Sequence, residues 1–161
     1  MLNVLKIFIL IIAALLLQVT ILPAYLADPF KPNLLIIAVV YMGFRTGRMG
    51  GILAFGLGIL QDCFSGIYLG LNGFSYLCIY LLLDLTADRL YTDSRYLMVF
   101  VVFLATVVNG FMQLVLLLLV PTANSIYESI LPGLIPQGLV NALISSLLFS
   151  FPAVKALGGS K

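Results

Sequence analysis

Six runs of hydrophobic residues alternate along this chain with short stretches that hold most of its charged residues and prolines. Apolar runs of this kind are typical of helices in lipid. About 20 such residues cross a hydrocarbon core about 30 Å thick, so each run predicts a membrane-spanning helix. The predicted spans cover approximately residues 5–22, 30–46, 48–62, 73–90, 97–120 and 130–152.

The composition extends this prediction to the whole chain. Of its 161 residues, 63% are hydrophobic and only 9% are charged, with a mean hydropathy of +1.20, whereas soluble chains contain about 25% charged residues. Six crossings use about 120 residues, which leaves no room for a water-soluble domain. We therefore predict an all-α polytopic membrane protein with a single integral membrane domain over residues 1–161.

Residues suited to catalysis or metal binding are scarce. The chain has no histidine, the commonest general base and transition-metal ligand. Its two cysteines, Cys63 and Cys78, match no zinc or redox motif. The net charge of +2 is too small and too dispersed for binding nucleic acid. These features exclude several enzyme classes, and we expect no catalytic activity, cofactor or bound metal.

The second and third runs are short, which leaves open whether they form two full spans or a hairpin that only dips into the membrane. A single span would bury Arg45 and Arg48 near the middle of the bilayer, at a cost of about 2.5–3.5 kcal/mol each. We therefore place both arginines in a loop at the interface. Asp28 and Asn33 are both suitable caps for the start of the second helix.

The distribution of positive charge predicts the orientation of the chain. Short loops on the cytoplasmic side of a membrane carry an excess of lysine and arginine. A cytoplasmic N-terminus and six spans place all but one of these residues on that side, so we predict that both termini are cytoplasmic. The cytoplasmic set is Lys6, Arg45, Arg48, Arg89, Arg95, Lys155 and Lys161, and Lys31 lies on the outer side.

Glycines are concentrated in the centre of the chain, around the third predicted helix. Small residues recur there at steps of three and four, which places them on one helix face. Such a face lets another helix approach closely, either within the chain or from a partner protein. The candidate packing or partner-binding residues are Gly47, Gly51, Ala54, Gly58, Asp62, Gly66 and Gly70.

Two sets of polar residues fall inside predicted spans. Asp62 ends the glycine-containing face at the outer membrane boundary, and it is a candidate proton or cation site, helix cap or interface anchor. It is a poor start for a proton relay, because no second acid, histidine or intramembrane lysine is near it in sequence. Asn109 and Gln113 lie one turn apart on the fifth helix and predict a face for interhelical hydrogen bonds.

Three short segments carry a resemblance to a known family. They are Lys31–Leu35, then Gly51–Asp62 with the sequence GILAFGLGILQD, then Ser65–Gly73 with the sequence SGIYLGLNG. Their order and spacing resemble those of the rod shape-determining protein MreD family. The overall length, the short hydrophilic loops and the predicted orientation are also similar to that family.

The resemblance implies a protein of the bacterial inner membrane that belongs to the cell-elongation machinery. It implies work with MreC and, indirectly, with the actin-like MreB and the RodA/penicillin-binding-protein synthase, without enzymatic activity. It also implies a fold similar to that of the S-components of energy-coupling-factor transporters. The glycine-containing face and Asp62 are then expected to shape the bundle and to hold the transmembrane helix of MreC.

A second hypothesis comes from a different class of protein. Substrate-binding subunits of energy-coupling-factor vitamin transporters resemble this chain in size, but they commonly carry an AxxxA spacing in their first helix. Here the first helix has only the adjacent Ala13 and Ala14. The outer loops also offer few polar groups to orient a ligand.

The predicted orientation can be tested with reporter fusions at the end of the chain. We expect a C-terminal green fluorescent protein to fluoresce and a C-terminal alkaline phosphatase to be inactive, because both reporters are then cytoplasmic. Active alkaline phosphatase at this position would show an external C-terminus and contradict the six-span count.

Overall fold

The part of the chain described by a computed structural model, residues 12–26, 30–45, 49–65, 69–87, 94–118 and 127–150, contains six helices and no strand. The all-α prediction is therefore confirmed, and each predicted span contains most of one helix. The helices are α1 (Ile12–Tyr25), α2 (Leu34–Arg45), α3 (Gly50–Ser65), α4 (Leu71–Thr86), α5 (Arg95–Leu118) and α6 (Tyr127–Leu148).

The start of α2 shows which of the two candidate caps is used. Residues 30–33 are not helical, and the helix begins at Leu34. The side-chain oxygen of Asn33 accepts a hydrogen bond from the backbone N–H of Ile36 at 3.2 Å. Asn33 is thus the cap, which fits its position directly after a proline. The other candidate, Asp28, lies outside the described residues.

Two of the helices are long and apolar enough to cross a membrane. By length and composition, these are α5, with 24 residues, and the 18-residue segment Leu131–Leu148 of α6. The apolar parts of α1 to α4 contain 10–17 residues each. The 12 residues of α2 rise only about 18 Å, which is less than the hydrocarbon core of about 30 Å. Six complete crossings stay a prediction.

The second helix lies at the centre of the bundle. Leu35, Ile36, Val39 and Val40 all have 0% of their surface exposed. The helix packs against α3, α4, α5 and α6, while the closest pairs in the bundle are the hairpins α3–α4 and α5–α6. Since α2 is enclosed on several sides, its capped N-terminus begins inside protein.

The exposed surface of the bundle is apolar, while several polar side chains are buried, including Gln18, Asn33, Asp62 and Asn141. This is the reverse of a soluble protein, and it suits a surface in contact with lipid. On α5 and α6, large apolar side chains form one exposed stripe per helix. These stripes are Phe100, Leu104, Val108, Phe111, Val115 and Leu118 on α5, and Leu131, Ile135, Leu139, Leu143 and Leu147 on α6.

The α3–α4 hairpin is built on close backbone contact. A Cβ atom at Gly58 would lie 2.5 Å from the carbonyl oxygen of Asn72 and 2.5 Å from the Cα of Gly73. Farther along the same face, Gly51 lies against the side chains of Leu77 and Tyr80. Because the main contacts at Gly58 are with backbone atoms, a side chain there cannot be accommodated by a rotamer change.

Glycine also allows close contact in the α5–α6 hairpin. Gly110 of α5 lies against the side chain of Leu134, and Gly138 of α6 lies against the ring of Phe103. These contacts are with side chains, which have more freedom to move than a backbone. Both hairpins therefore use glycine at their close contacts, but we expect α5–α6 to tolerate a substitution better than α3–α4.

Replacement of the glycines on α3 by alanine should have opposite effects on its two faces. We expect Gly58→Ala to destabilise the protein by about 1–3 kcal/mol, because the methyl group forces α3 and α4 apart. Gly56, on the exposed face of the same helix, has open space around it. Gly56→Ala is therefore the matched control and should stabilise by about 0.4–1 kcal/mol. Thermal unfolding in detergent micelles measures both, and equal midpoints for the two variants would contradict the close crossing.

Candidate functional site

The polar side chains of the interior lie where two helices begin. The first backbone N–H groups of any helix have no partner within the helix. In apolar surroundings each unpaired group costs free energy, since no water is present to satisfy it. Both α2 and α4 begin next to buried residues, Asn33 at 6% exposure and Asn72 at 8%. Side chains from other helices must therefore supply the acceptors.

The start of α4 is capped by the carboxylate of Asp62, which belongs to α3. Its Oδ2 accepts the backbone N–H of Gly70 at 2.8 Å and that of Gly73 at 3.2 Å. Its Oδ1 accepts the backbone N–H of Asn72 at 3.1 Å and the side-chain amide of Asn72 at 2.8 Å. Four donors thus surround one carboxylate that is only 3% exposed.

This geometry explains how an anion is held inside an apolar bundle. The N-terminus of a helix carries a partial positive charge, so the negative charge of Asp62 is favourable at the start of α4. Hydrogen bonds to an ionised group are also stronger than those between neutral groups. Of the roles that the sequence left open for Asp62, helix capping is the one for which the structure shows contacts.

Gly70 and Asn72 give the loop the shape that the carboxylate needs. Gly70 has a φ of +101°, a conformation that side chains rarely adopt, and it directly precedes α4. The side-chain oxygen of Asn72 accepts a hydrogen bond from Gln113 of α5 at 2.7 Å. We call Asp62, Gly70, Asn72, Gly73 and Gln113 the Asp62 cluster, which connects α3, α4 and α5.

A second set of polar residues surrounds the start of α2. The side-chain oxygen of Asn33 accepts a hydrogen bond from Gln18 of α1 at 3.2 Å, and Gln18 in turn accepts the backbone N–H of Leu35 at 3.3 Å. Gln18 lies in a π-helical turn, Leu17–Ile21, in which it is the buried residue. The first helix is thus attached to the bundle where α2 begins.

The same asparagine bonds to helices on its other sides. Its side-chain amide donates to the hydroxyl of Tyr76 on α4 at 2.7 Å, and Tyr76 donates to Gln61 on α3 at 2.6 Å. Its backbone N–H donates to Asn141 on α6 at 2.8 Å. Asn141 donates to Thr106 on α5 at 3.0 Å.

These six residues, Gln18, Asn33, Gln61, Tyr76, Thr106 and Asn141, form what we call the Asn33 network. Each of the six described helices contributes to it, with Asn33 as the cap of α2. All of its side chains are uncharged, and all but the half-buried Gln61 are buried. The network therefore fixes the relative positions of the helices and contains no acid, base or nucleophile pair suited to catalysis.

The residues predicted from the sequence are distributed over this arrangement. Asp62 and Gly70 meet in the Asp62 cluster, whereas Gly51, Ala54 and Gly58 are buried on the face of α3 that packs on α4. The other two predicted residues, Gly47 and Gly66, lie outside the described part of the chain.

The structure confirms part of the prediction for α5 and adds network residues that the sequence did not indicate. The hydrogen-bonding face predicted on α5 is confirmed for Gln113, which donates to Asn72, whereas Asn109 contributes no such bond through its side-chain oxygen. No motif in the sequence marks Gln61 as a network residue, and Tyr76 lies within an apolar run, where an aromatic residue ordinarily indicates packing. The helix cap at Asn33 was the sequence feature that pointed most directly to the position of this network.

The remaining features of the described residues offer little chemistry. No group of three or more His, Cys, Asp or Glu side chains is placed to hold a metal ion within this part of the chain. An open surface groove of about 530 Å³ runs between α4 and α5. Its lining is apolar and consists of Cys78, Leu81, Leu82, Leu85, Val108, Phe111, Met112 and Val115.

An apolar exterior around a small polar interior, most of whose side chains are hydrogen-bonded to one another, defines a helical membrane protein whose buried groups serve packing. The chain belongs to the rod shape-determining protein MreD family, whose model matches residues 1–157. This is a family of membrane proteins with a structural role in shape determination, and it is not known as an enzyme family. No curated protein and no solved structure matches the chain.

Removal of the charge of Asp62 tests its role as a cap. We expect Asp62→Asn to lower the stability by about 2–3 kcal/mol, because an amide has one acceptor oxygen for four donors and loses the favourable interaction with the helix dipole. Asp84→Asn is the matched control, since Asp84 lies in the last turn of α4, the helix whose start Asp62 caps. There the dipole disfavours an anion, and we expect no loss of stability. Equal losses for the two variants, measured by thermal unfolding in micelles, would contradict the capping role.

Proposed function

We propose that this protein is a non-enzymatic membrane scaffold of the bacterial cell-elongation complex. In this role it binds the transmembrane helix of MreC and supports cell-shape control and lateral peptidoglycan synthesis. Its links to MreB and to the RodA/penicillin-binding-protein synthase are indirect. The observation that carries the proposal is membership of the MreD family over residues 1–157.

The organisation of the interior supports a scaffold. The buried polar groups of the Asn33 network bond mainly to one another, and the Asp62 carboxylate is occupied by the start of α4. Glycines at the helix crossings leave little space between backbones. A rigid bundle of this kind presents a fixed surface to a partner, which lowers the entropic cost of binding.

The contacts of α3 indicate which of its faces can meet a partner helix. Gly51, Ala54 and Gly58 pack within the chain, so the opposite face is the accessible one. That face carries Ile52 and Leu53, with 69% and 57% of their surfaces exposed. In our proposal Gly51, Ala54, Gly58, Asp62 and Gly70 hold the α3–α4 hairpin in shape, and the exposed face of α3 contacts MreC.

The proposed location is the bacterial plasma membrane, with six spans and both termini in the cytoplasm. The distribution of lysine and arginine along the chain supports this orientation. The shortness of α2 is compatible with it because its start is capped by protein groups, which replace the water that a longer helix would reach. We also propose a fold similar to that of the S-components of energy-coupling-factor transporters, on the basis of the family.

Photo-crosslinking in rod-shaped cells tests the proposed contact. A photoreactive amino acid at Ile52 or Leu53 should capture MreC, because these side chains point away from the bundle. The matched control is Ile135, which is 63% exposed on α6 and should capture lipid without MreC. Depletion of the protein should make the cells round. Absence of an MreC adduct from α3, or equal adducts from α3 and α6, would contradict the proposed face, and normal shape after depletion would contradict the proposed function.

A further inference from the structure

Two buried oxygen atoms in the described part of the chain have no hydrogen-bond partner. They are the hydroxyl Oγ of Ser75 on α4 and the side-chain Oδ1 of Asn109 on α5. Ser75 has 0% of its surface exposed and Asn109 has 5%. Unpaired buried oxygens cost free energy, so native structures usually satisfy such atoms with protein or with ordered water.

The register of α4 and α5 brings these two residues to the same level. Asn72, near the start of α4, bonds to Gln113, near the end of α5, so the two helices run in opposite directions. Ser75 lies three residues beyond Asn72, and Asn109 lies four residues before Gln113. At a rise of about 1.5 Å per residue, both lie about 4.5–6 Å from the Asn72–Gln113 bond along the helix axes, on the side away from the start of α4.

The two residues also share faces with the bonded pair. Positions three or four apart on a helix lie on the same side, so Ser75 follows Asn72 and Asn109 follows Gln113 at the α4–α5 interface. No direct hydrogen bond joins the two side chains. One small molecule between them would satisfy both, since Ser75 can donate or accept while the oxygen of Asn109 only accepts.

We propose that Ser75 and Asn109 form a binding site for one internal water molecule between α4 and α5. The water donates one hydrogen to the Oδ1 of Asn109 and hydrogen-bonds the hydroxyl of Ser75. The nearly complete burial of both residues favours water over a side chain of another protein, which cannot reach them without separating the helices. A buried water typically makes two to four hydrogen bonds of this kind.

The site lies between the two polar groups of the bundle. Gln113 of the Asp62 cluster is one turn from Asn109 in one direction, and Thr106 of the Asn33 network is one turn away in the other. Ser75 is likewise next to Tyr76 in the chain. The bound water therefore lies between the Asp62 cluster and the Asn33 network along α4 and α5.

Solid-state NMR of the full chain in lipid bilayers tests this site directly. The readout is magnetisation transfer from water protons to the side-chain amide of Asn109, whose signal is identified by its loss in Asn109→Leu. We expect transfer in the unchanged protein and a loss of at least half of it in Ser75→Ala. The matched control is Ser145→Ala, because Ser145 is equally buried but its hydroxyl donates to the carbonyl of Ala142 at 2.8 Å.

Thermal unfolding of the same variants gives a second measurement. We expect the midpoint to fall in Ser75→Ala, because this variant loses a water-mediated hydrogen bond. The site is overturned if Asn109 in the unchanged protein receives no magnetisation from water, or if the transfer is the same in Ser75→Ala. A midpoint that rises in Ser75→Ala overturns it as well, because removal of an unsatisfied hydroxyl stabilises a protein.

Discussion

The architecture of this bundle depends on the unpaired amide groups at the starts of α2 and α4. In a chain of this hydropathy, both helices begin among apolar residues, where water is not available as a partner. Each helix start is therefore hydrogen-bonded to a side-chain acceptor from a helix earlier in the chain, which is Gln18 for α2 and Asp62 for α4. The loops, the polar residues of the interior and the closest helix contacts are arranged around these two caps.

The two caps use different chemistry for related tasks. At α4, one anion serves three backbone amides and a side-chain amide, so a single residue satisfies most of the helix start. At α2, the neutral side chains of Gln18 and Asn33 accept the backbone N–H groups. The Asn33 network then connects this helix start to every other described helix. The charged cap is compact and local, whereas the neutral network distributes its bonds through the bundle. Glycine at the α3–α4 crossing lets the first arrangement form, because Gly58 brings Asp62 close to the start of α4.

Hydropathy and spacing predicted the parts of this structure that depend on a single helix. The six apolar segments and the small face with Gly51 and Gly58 follow from residue order alone, which leaves two candidates, Asp28 and Asn33, for the cap of α2. The partners of each polar residue do not, because they depend on how far each helix is rotated and how deep it lies. Tyr76 illustrates the difficulty: its hydroxyl lies between Asn33 and Gln61, which are 43 and 15 residues away in the chain. The position of Asp62 at a helix end was predicted, but its role depended on the loop that folds back over it.

The bond between Asn33 and Asn141 has a consequence for how the protein is made. The two residues are 108 positions apart, and a ribosome adds about 5–20 residues per second. The backbone amide of Asn33 thus waits about 5–20 s during synthesis before its acceptor exists. Throughout that interval, the polar centre formed by the early helices is incomplete. Completion of the last helix is the event that closes the bundle.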